Sequence, residues 1–378
     1  LSSPLARFVA QNNQELPSIY KRYAIQNVFR NEKAGNGRYR EFMQADFDIV
    51  GNVNSAQANA ELCNLISSTL LDCGLNKDQF TINISNRKIV QGLIDDLKIS
   101  EDKQLKVIRA IDKLDKPGFG LKGVEDLLKK ERKDQSGAVT KGADLTNDQV
   151  AKILNFLKMK DLKELKENLK NPLSQEGIKE LEEVFEVINY GSNSNQVKTN
   201  FTIVRGLAYY SDFILETNLN FKVTNNKGKR VDLGSICSGG GYAKLISRFK
   251  GVDVPGTGIS FGIDRLLFAL IQLDQIKIED QKPVLVCVME QKYLKNYYEI
   301  VDLLRDNNIN AEVFLSTKKN LSKQLDLANK RELAVAIICG ENEFKDNTIT
   351  IKNLRGEKGK NNQTIPKSDL INEIKKFV

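Results

Sequence analysis

The sequence predicts an α+β protein: an antiparallel sheet flanked by helices, interrupted by a helical insertion and followed by a separate α/β domain. Three observations predict it. First, Met43, Ala45, Phe47 and Ile49 alternate strictly with Gln44, Asp46 and Asp48, the pattern of a strand with one buried face. Second, residues 93–187 are rich in Lys, Glu, Asp and Leu at helical spacing, as in LKELKENL at 162–169. Third, short apolar runs alternate with helical patterns from about residue 282, the mark of an α/β unit around a mainly parallel core.

The elements follow in order. An apolar stretch ends in Phe29-Arg30-Asn31-Glu32, a turn carries Gly35 and Gly37, and the alternating strand comes next. Residues 55–73 have helical periodicity, and 80–84 read as a strand. Between residues 101 and 190 there are 18 Lys/Arg against 18 Asp/Glu, so the charge runs of the insertion read as solvated helix faces. Within it, Thr146 stands as a capping residue before a periodic run from Val150. Strand patterning returns over 198–221, a Gly-rich turn region is expected at 234–242, and 254–270 follows. The last segment reads strand 284–288, helix, strand 311–315, helix 323–330, strand 334–339. The resulting division is 1–92, 93–190, 191–278 and 279–378, within the size range of a chain of 378 residues with two or three cores.

Composition narrows the function. The chain is 40% apolar and 28% charged, with no apolar run long enough to span a membrane. A net charge of +8 and a pI near 9.0 favour a polyanionic partner. Cys63, Cys73, Cys237, Cys287 and Cys339 form no CxxC pair, which argues against a zinc site or disulfide framework and for buried, reduced thiols in a cytoplasmic protein. The chain has no histidine, so Ser-His-Asp and Cys-His catalysis and His-ligated metals are excluded within it. Chemistry must run on Arg, Tyr, Gln, carboxylates and bound ions. Because the sequence starts at Leu1 with LSSPLAR, an internal-looking segment, a natural N-terminus is expected upstream.

The polar face of the alternating strand is lined with hydrogen-bonding groups, and Arg38 and Arg40 stand at its entrance. Arginine forks suit phosphates, whereas a carboxylate and an amide suit an ammonium or a ring N–H. Strand, basic loop and polar-floored strand together describe a site for a nucleotide beside a small cationic metabolite. An ordinary solvated hairpin is the plainer alternative from pattern alone.

FRNE followed by GRYREFMQADFDIVG resembles motif 2 of class II aminoacyl-tRNA synthetases, in the form found in the histidyl-tRNA synthetase family. VRGLAYY (204–210) is similar to the family signature RGLDYY, with Ala208 in place of Asp. SICSGGGYAKL (235–245) is similar to GGRYDGL, with Gly241, Ala243 and Lys244 at the Arg, Asp and following Gly positions. VPGTGISFGIDRL (254–266) resembles motif 3; its glycines fail as a dinucleotide fingerprint because no acidic residue on a following strand completes the unit. The last segment, with LSKQLDLANKRELAVAIICGENEF, resembles the family's anticodon-binding domain. The likeness extends over nearly the whole chain.

The resemblance implies a class II synthetase core and a ligase that joins L-histidine and ATP into histidyl-adenylate and then charges tRNA(His), as a homodimer, with Mg²⁺. It implies catalytic roles for Arg30 and Arg205, clamping the α-phosphate and the substrate carboxylate. Histidine-binding positions would be Ser2, Arg30, Gln44, Asp48, Arg205, Tyr209, Tyr210 and Tyr242, and ATP-binding positions Arg30, Glu32, Arg38 and Arg265. Gln44 and Asp48 lie about 13 Å apart on one strand face, room for histidine with its ammonium at Gln44 and its ring toward Asp48. The family also places an acidic residue just before the position of Leu1, and a dimer-building motif 1 upstream. A second reading is a catalytically silent paralogue, a regulatory or RNA-binding subunit, suggested by the altered signatures. A pure tRNA-binding scaffold is a third.

Overall fold

The computed structural model describes all residues except 32–33, 36, 116–118, 134–138, 192–193, 205–209, 226–227, 252–253, 277–281, 316–319, 357–361 and 378. The chain divides into two compact units, Leu1–Lys277 and Ile278–Val378.

The first unit opens with α1 (Ser2–Asn12), followed by the hairpin of β1 (Ile19–Phe29) and β2 (Glu41–Gly51). Next come α2 (Ser55–Asp72), β3 (Phe80–Asn86) and α3 (Arg87–Asp96). The 93–190 stretch is helical as expected: α4 (Glu101–Ile111), α5 (Gly120–Lys129), α6 (Asn147–Phe156), α7 (Leu162–Asn168) and α8 (Pro172–Asn189), with one short ribbon of β4 (Glu131–Lys133) and β5 (Val139–Lys141). Thr146 and Gln149 form a reciprocal capping box at the start of α6, satisfying two donors that the first helical turn leaves open. β6 (Val197–Thr199), β7 (Phe213–Leu219), the ribbon β8 (Val223–Thr224) and β9 (Arg230–Val231), β10 (Ser235–Gly241), α9 (Ala243–Lys250), β11 (Gly256–Gly262) and α10 (Ile263–Gln272) complete the unit.

Seven strands form one sheet in the order β1-β2-β11-β10-β7-β3-β6. All of its pairings are antiparallel except β3 with β6. Ile49, Ile82, Ile84, Leu215 and Ile259 turn one face toward Leu62, Ile66 and Leu70 of α2 and Ile178 and Leu181 of α8, all within one apolar core. Each side chain so buried stabilises the fold by about 1.5–3 kcal/mol relative to exposure. The opposite face carries Gln44, Asp46 and Asp48, and is closed at one end by Leu5, Ala6 and Val9 of α1 packed with Val50, Tyr242, Leu245 and Ile246.

Three expectations need correction here. The Gly-rich segment 234–242 is strand β10 rather than a turn, because its glycines admit neighbouring backbone: a Cβ on Gly239 would lie 2.1 Å from the Gly258 carbonyl, and one on Gly240 2.4 Å from that of Phe213. Met43 shares its face with Ala45, Phe47 and Ile49 yet is 41% exposed, since the hairpin runs past the helices that cover the others. Among the cysteines, Cys73 is exposed while the other four are buried.

The second unit holds β12 (Val284–Val286), α11 (Leu294–Asp306), β13 (Ala311–Val313), α12 (Leu321–Lys330), β14 (Val335–Ile338), α13 (Glu341–Lys345), β15 (Thr348–Asn353), β16 (Asn362–Pro366) and α14 (Leu370–Ile374). Its sheet order is β13-β12-β14-β15-β16. The core is mixed rather than mainly parallel: β12 pairs in parallel with β13 and β14, whereas β14-β15-β16 are antiparallel. The five residues of α13 are too few for the long crossover that a parallel neighbour of β14 would require. The buried Gln324 side chain ties down the end of β12 by bonding both the N–H and the carbonyl of Val288, at 2.9 and 2.8 Å.

Candidate active site

The polar face of the sheet opens into a cleft lined by Arg30, Arg38, Tyr39, Phe42, Gln44, Ser238, Ser260, Asp264 and Arg265 among others. The hairpin sets Arg30 and Arg38. The Arg30 N–H bonds to the Arg40 carbonyl at 2.8 Å, and its guanidinium lies 5.1 Å from the centroid of the Phe42 ring. Gly37 has a left-handed φ of +62°, and a Cβ there would come within 3.3 Å of the Arg265 side chain. The turn therefore lies against Arg265, bringing sequence-distant arginines to one cleft. Arg265 donates from Nη1 to the Ser235 carbonyl at 2.6 Å, which aims the guanidinium. Its neighbour Asp264 accepts the Met43 N–H at 2.8 Å, fixing the start of α10 to β2.

Further along the same strand face the character changes. Asp48 is 3% exposed and accepts the Tyr242 hydroxyl at 2.5 Å. Arg22, directly opposite on β1, places Nη2 2.9 Å from Asp48 Oδ2. Burial pushes the Asp48 carboxyl up to about 6; the Tyr242 hydrogen bond and the Arg22 charge pull it down, and nearby Asp46 pushes it up. The Tyr242 hydroxyl is raised well above its ordinary value, first by burial and then by Asp48. Gly258 is the condition for this packing, since a Cβ there would lie 2.1 Å from Asp48 Oδ1.

Tyr210 packs against the Gly240 backbone, 3.3 Å from the site of a Cβ there, beside the small core that contains Tyr242. The stretch from Tyr210 to Asp212 is held by Arg87: its side chain donates to the Tyr210 carbonyl at 3.0 Å, and its N–H to the Asp212 carbonyl at 2.8 Å. Gly241, at the altered position of the second signature, has a local reason. A Cβ there would meet Asp212 Oδ1 at 1.8 Å, so the half-buried Asp212 carboxyl fills the room a side chain would need. Burial also raises the pKa of Asp212.

Of the residues singled out in the sequence, Arg30, Arg38, Gln44 and Arg265 line one cleft. Asp48, Tyr242 and Tyr210 lie on the same side of the sheet, but Asp48 is covered by Tyr242 and Arg22 rather than opening to the cleft. Ser2 sits at the start of α1, whose apolar side packs with Tyr242. Glu32, Arg205 and Tyr209 lie outside the described residues. Sequence reading missed Arg22, Ser260, Asp264 and Arg87. Arg22 was findable by pairing β1 with β2 in register; the other three join through contacts between distant segments.

Comparison with known proteins follows the same lines. Residues 2–266 match the family model "Histidyl-tRNA synthetase" and residues 283–377 match "Anticodon binding domain". A histidine--tRNA ligase of Pelagibacter ubique is 75% identical over the whole chain, which covers 82% of that relative. One from Rhizobium meliloti is 40% identical over 94% of the chain and 72% of its own length. Among solved structures, histidyl-tRNA synthetase from Nostoc sp. PCC 7120 superposes with a TM-score of 0.61 at 29% identity, covering 99% of this chain and 82% of that one. The chain belongs to the histidyl-tRNA synthetase family.

Proposed function

We propose that the protein is a histidine--tRNA ligase that activates L-histidine with ATP at the cleft of the seven-stranded sheet and passes the product to tRNA(His). The observation that carries this is the convergence of Arg30, Arg38 and Arg265 on one cleft beside Gln44. Attack of a carboxylate on the α-phosphate brings two anions together, and fixed positive charge must offset their repulsion. Arg30, with its guanidinium over Phe42, meets the α-phosphate and the incoming carboxylate; Arg38 and Arg265 hold the outer phosphates. Arg205 joins Arg30 in this role, and Glu32 holds the adenine end, on resemblance alone. Gln44, Tyr210, Tyr242 and Ser2 belong to the amino-acid end with Tyr209.

For Asp48 to receive the imidazole, Tyr242 or Arg22 must give way or share the carboxylate when substrate enters. Its environment supports that role, because a buried carboxyl pushed up to about 6 beside a specific charge partner is the kind of group that functional sites hold. Mg²⁺ arrives with ATP in this reading, as its phosphate complex. The chain's own contribution to phosphate charge in this reading is arginine, from Arg30, Arg38 and Arg265 at the cleft.

Residues 93–190 are proposed as a helical insertion in the catalytic core, and 279–378 as the domain that reads the anticodon. A homodimer is supported by the part of the hairpin's apolar face that the core leaves uncovered, where Ile19, Tyr23, Ile25, Phe29 and Met43 share one side and are all exposed. Among the described residues no helix is long and apolar enough to cross a membrane, and a cytoplasmic location is proposed. ATP-dependent charging of tRNA(His) with labelled histidine tests the complete reaction. Binding of tRNA without charging would instead favour the silent paralogue, which no comparison supports.

A further inference from the structure

Between Gln44 and Asp48 on the polar face of β2 lies Asp46, a carboxyl with no part in the scheme above. It is 7% exposed, and its Oδ1 accepts the Ser260 hydroxyl at 2.5 Å. Ser260 stands opposite it on β11 and itself lines the cleft next to Gln44. A serine hydroxyl has one proton and two lone pairs. With that proton committed to Asp46, Ser260 turns only lone pairs toward the cleft, and the carboxyl behind it strengthens them as acceptors. On its other side Asp46 faces Ala24 in the sheet, whereas the cation Arg22 stands one row further on against Asp48.

This acceptor row lies in a cleft whose lining also includes Arg30, Arg38 and Arg265, with Asp264 beside them. A ligand carrying only negative charge would be repelled by it, whereas one with a cation next to its carboxylate fits both parts. We infer that Ser260, held by Asp46, receives the α-ammonium group of the amino-acid substrate. Asp46 is then a positioning residue acting through Ser260, and Gln44 shares the ammonium rather than holding it alone. The inference rests on the proposed histidine activation and names the group that orients its substrate.

The test uses Asp46→Asn and Ser260→Ala in the full-length protein, with L-histidine and its des-amino analogue imidazolepropionate titrated by calorimetry. Asn keeps an oxygen for the Ser260 proton, and its melting curve checks the fold. Loss of a charge-assisted hydrogen bond predicts histidine binding weakened roughly tenfold or more in each variant, with imidazolepropionate changed less than about twofold. The KM for histidine rises in proportion while the KM for ATP holds. A preference for histidine over the analogue that survives undiminished in both variants overturns the inference. A wild-type protein that neither binds histidine nor exchanges pyrophosphate with it overturns the proposed function and this inference together.

Discussion

Tyr242 donates its hydroxyl to Asp48 at 2.5 Å across 194 residues of sequence, both partners buried. The bond joins the strand of the hairpin to the residue after the last glycine of β10, so two sequence motifs meet in one hydrogen bond. Arg22 completes the group from the neighbouring strand. A carboxyl held by two partners and still raised to about 6 shows that desolvation outweighs both.

Stability should therefore vary with pH in a defined direction. Asp48 ionises near 6 when folded and near 3.8 otherwise, so the folded state binds this proton more tightly. The stabilisation from protonation is complete below 3.8 and is lost as the pH rises through 6. The loss is on the order of 3 kcal/mol by linkage. Urea unfolding of the wild type and of Asp48→Asn, measured on both sides of this window, should give a difference that shifts in the variant's favour with rising pH. Parallel curves would contradict the assignment.

Gly241→Ala should be strongly destabilising, because its Cβ would lie 1.8 Å from the Asp212 carboxylate. Overpacking of a buried position costs about 1–3 kcal/mol. Asp212→Ser removes the obstructing oxygen, so the double variant should recover much of the Gly241→Ala loss, with a coupling of about 1 kcal/mol or more by denaturant unfolding. Simple additivity would mean that the glycine serves another purpose.

Arg265→Ala should lower the rate of adenylate formation by about 10²–10³, as removal of a preorganised charge partner does, with little effect on the melting temperature. Single-turnover kinetics with ATP and histidine read this directly. Turnover at the wild-type rate would remove Arg265 from the phosphate site.

Ile25→Lys places a charge in the exposed apolar face of β1 and should shift the protein toward monomer in sedimentation equilibrium, without lowering helix content. Exposed apolar area of this kind on an edge strand otherwise invites unspecific pairing. An unchanged dimer would move the interface elsewhere.

Much of this architecture was legible in the sequence because its signals are local. The alternation at residues 43–49 gave the strand and its two faces, and Thr146 marked a helix start that the structure keeps. The glycines of 239–241 misled, since their purpose is the approach of neighbouring backbone and of Asp212, which only the assembled sheet reveals. The same holds for the site. The roles of the arginines came from resemblance to the family's motifs, but Arg22 and Ser260 gain their roles from cross-strand register. The burial of Asp48 beneath Tyr242 depends on two segments 194 residues apart.

The central claim is activation of histidine at the arginine cleft. Its most direct measurement is ATP–pyrophosphate exchange with each of the twenty amino acids in turn, on the protein extended to the length of its 75%-identical relative. Exchange with histidine and with no other amino acid is the predicted result. A folded protein that exchanges with none of them, or with an amino acid other than histidine, would contradict the account.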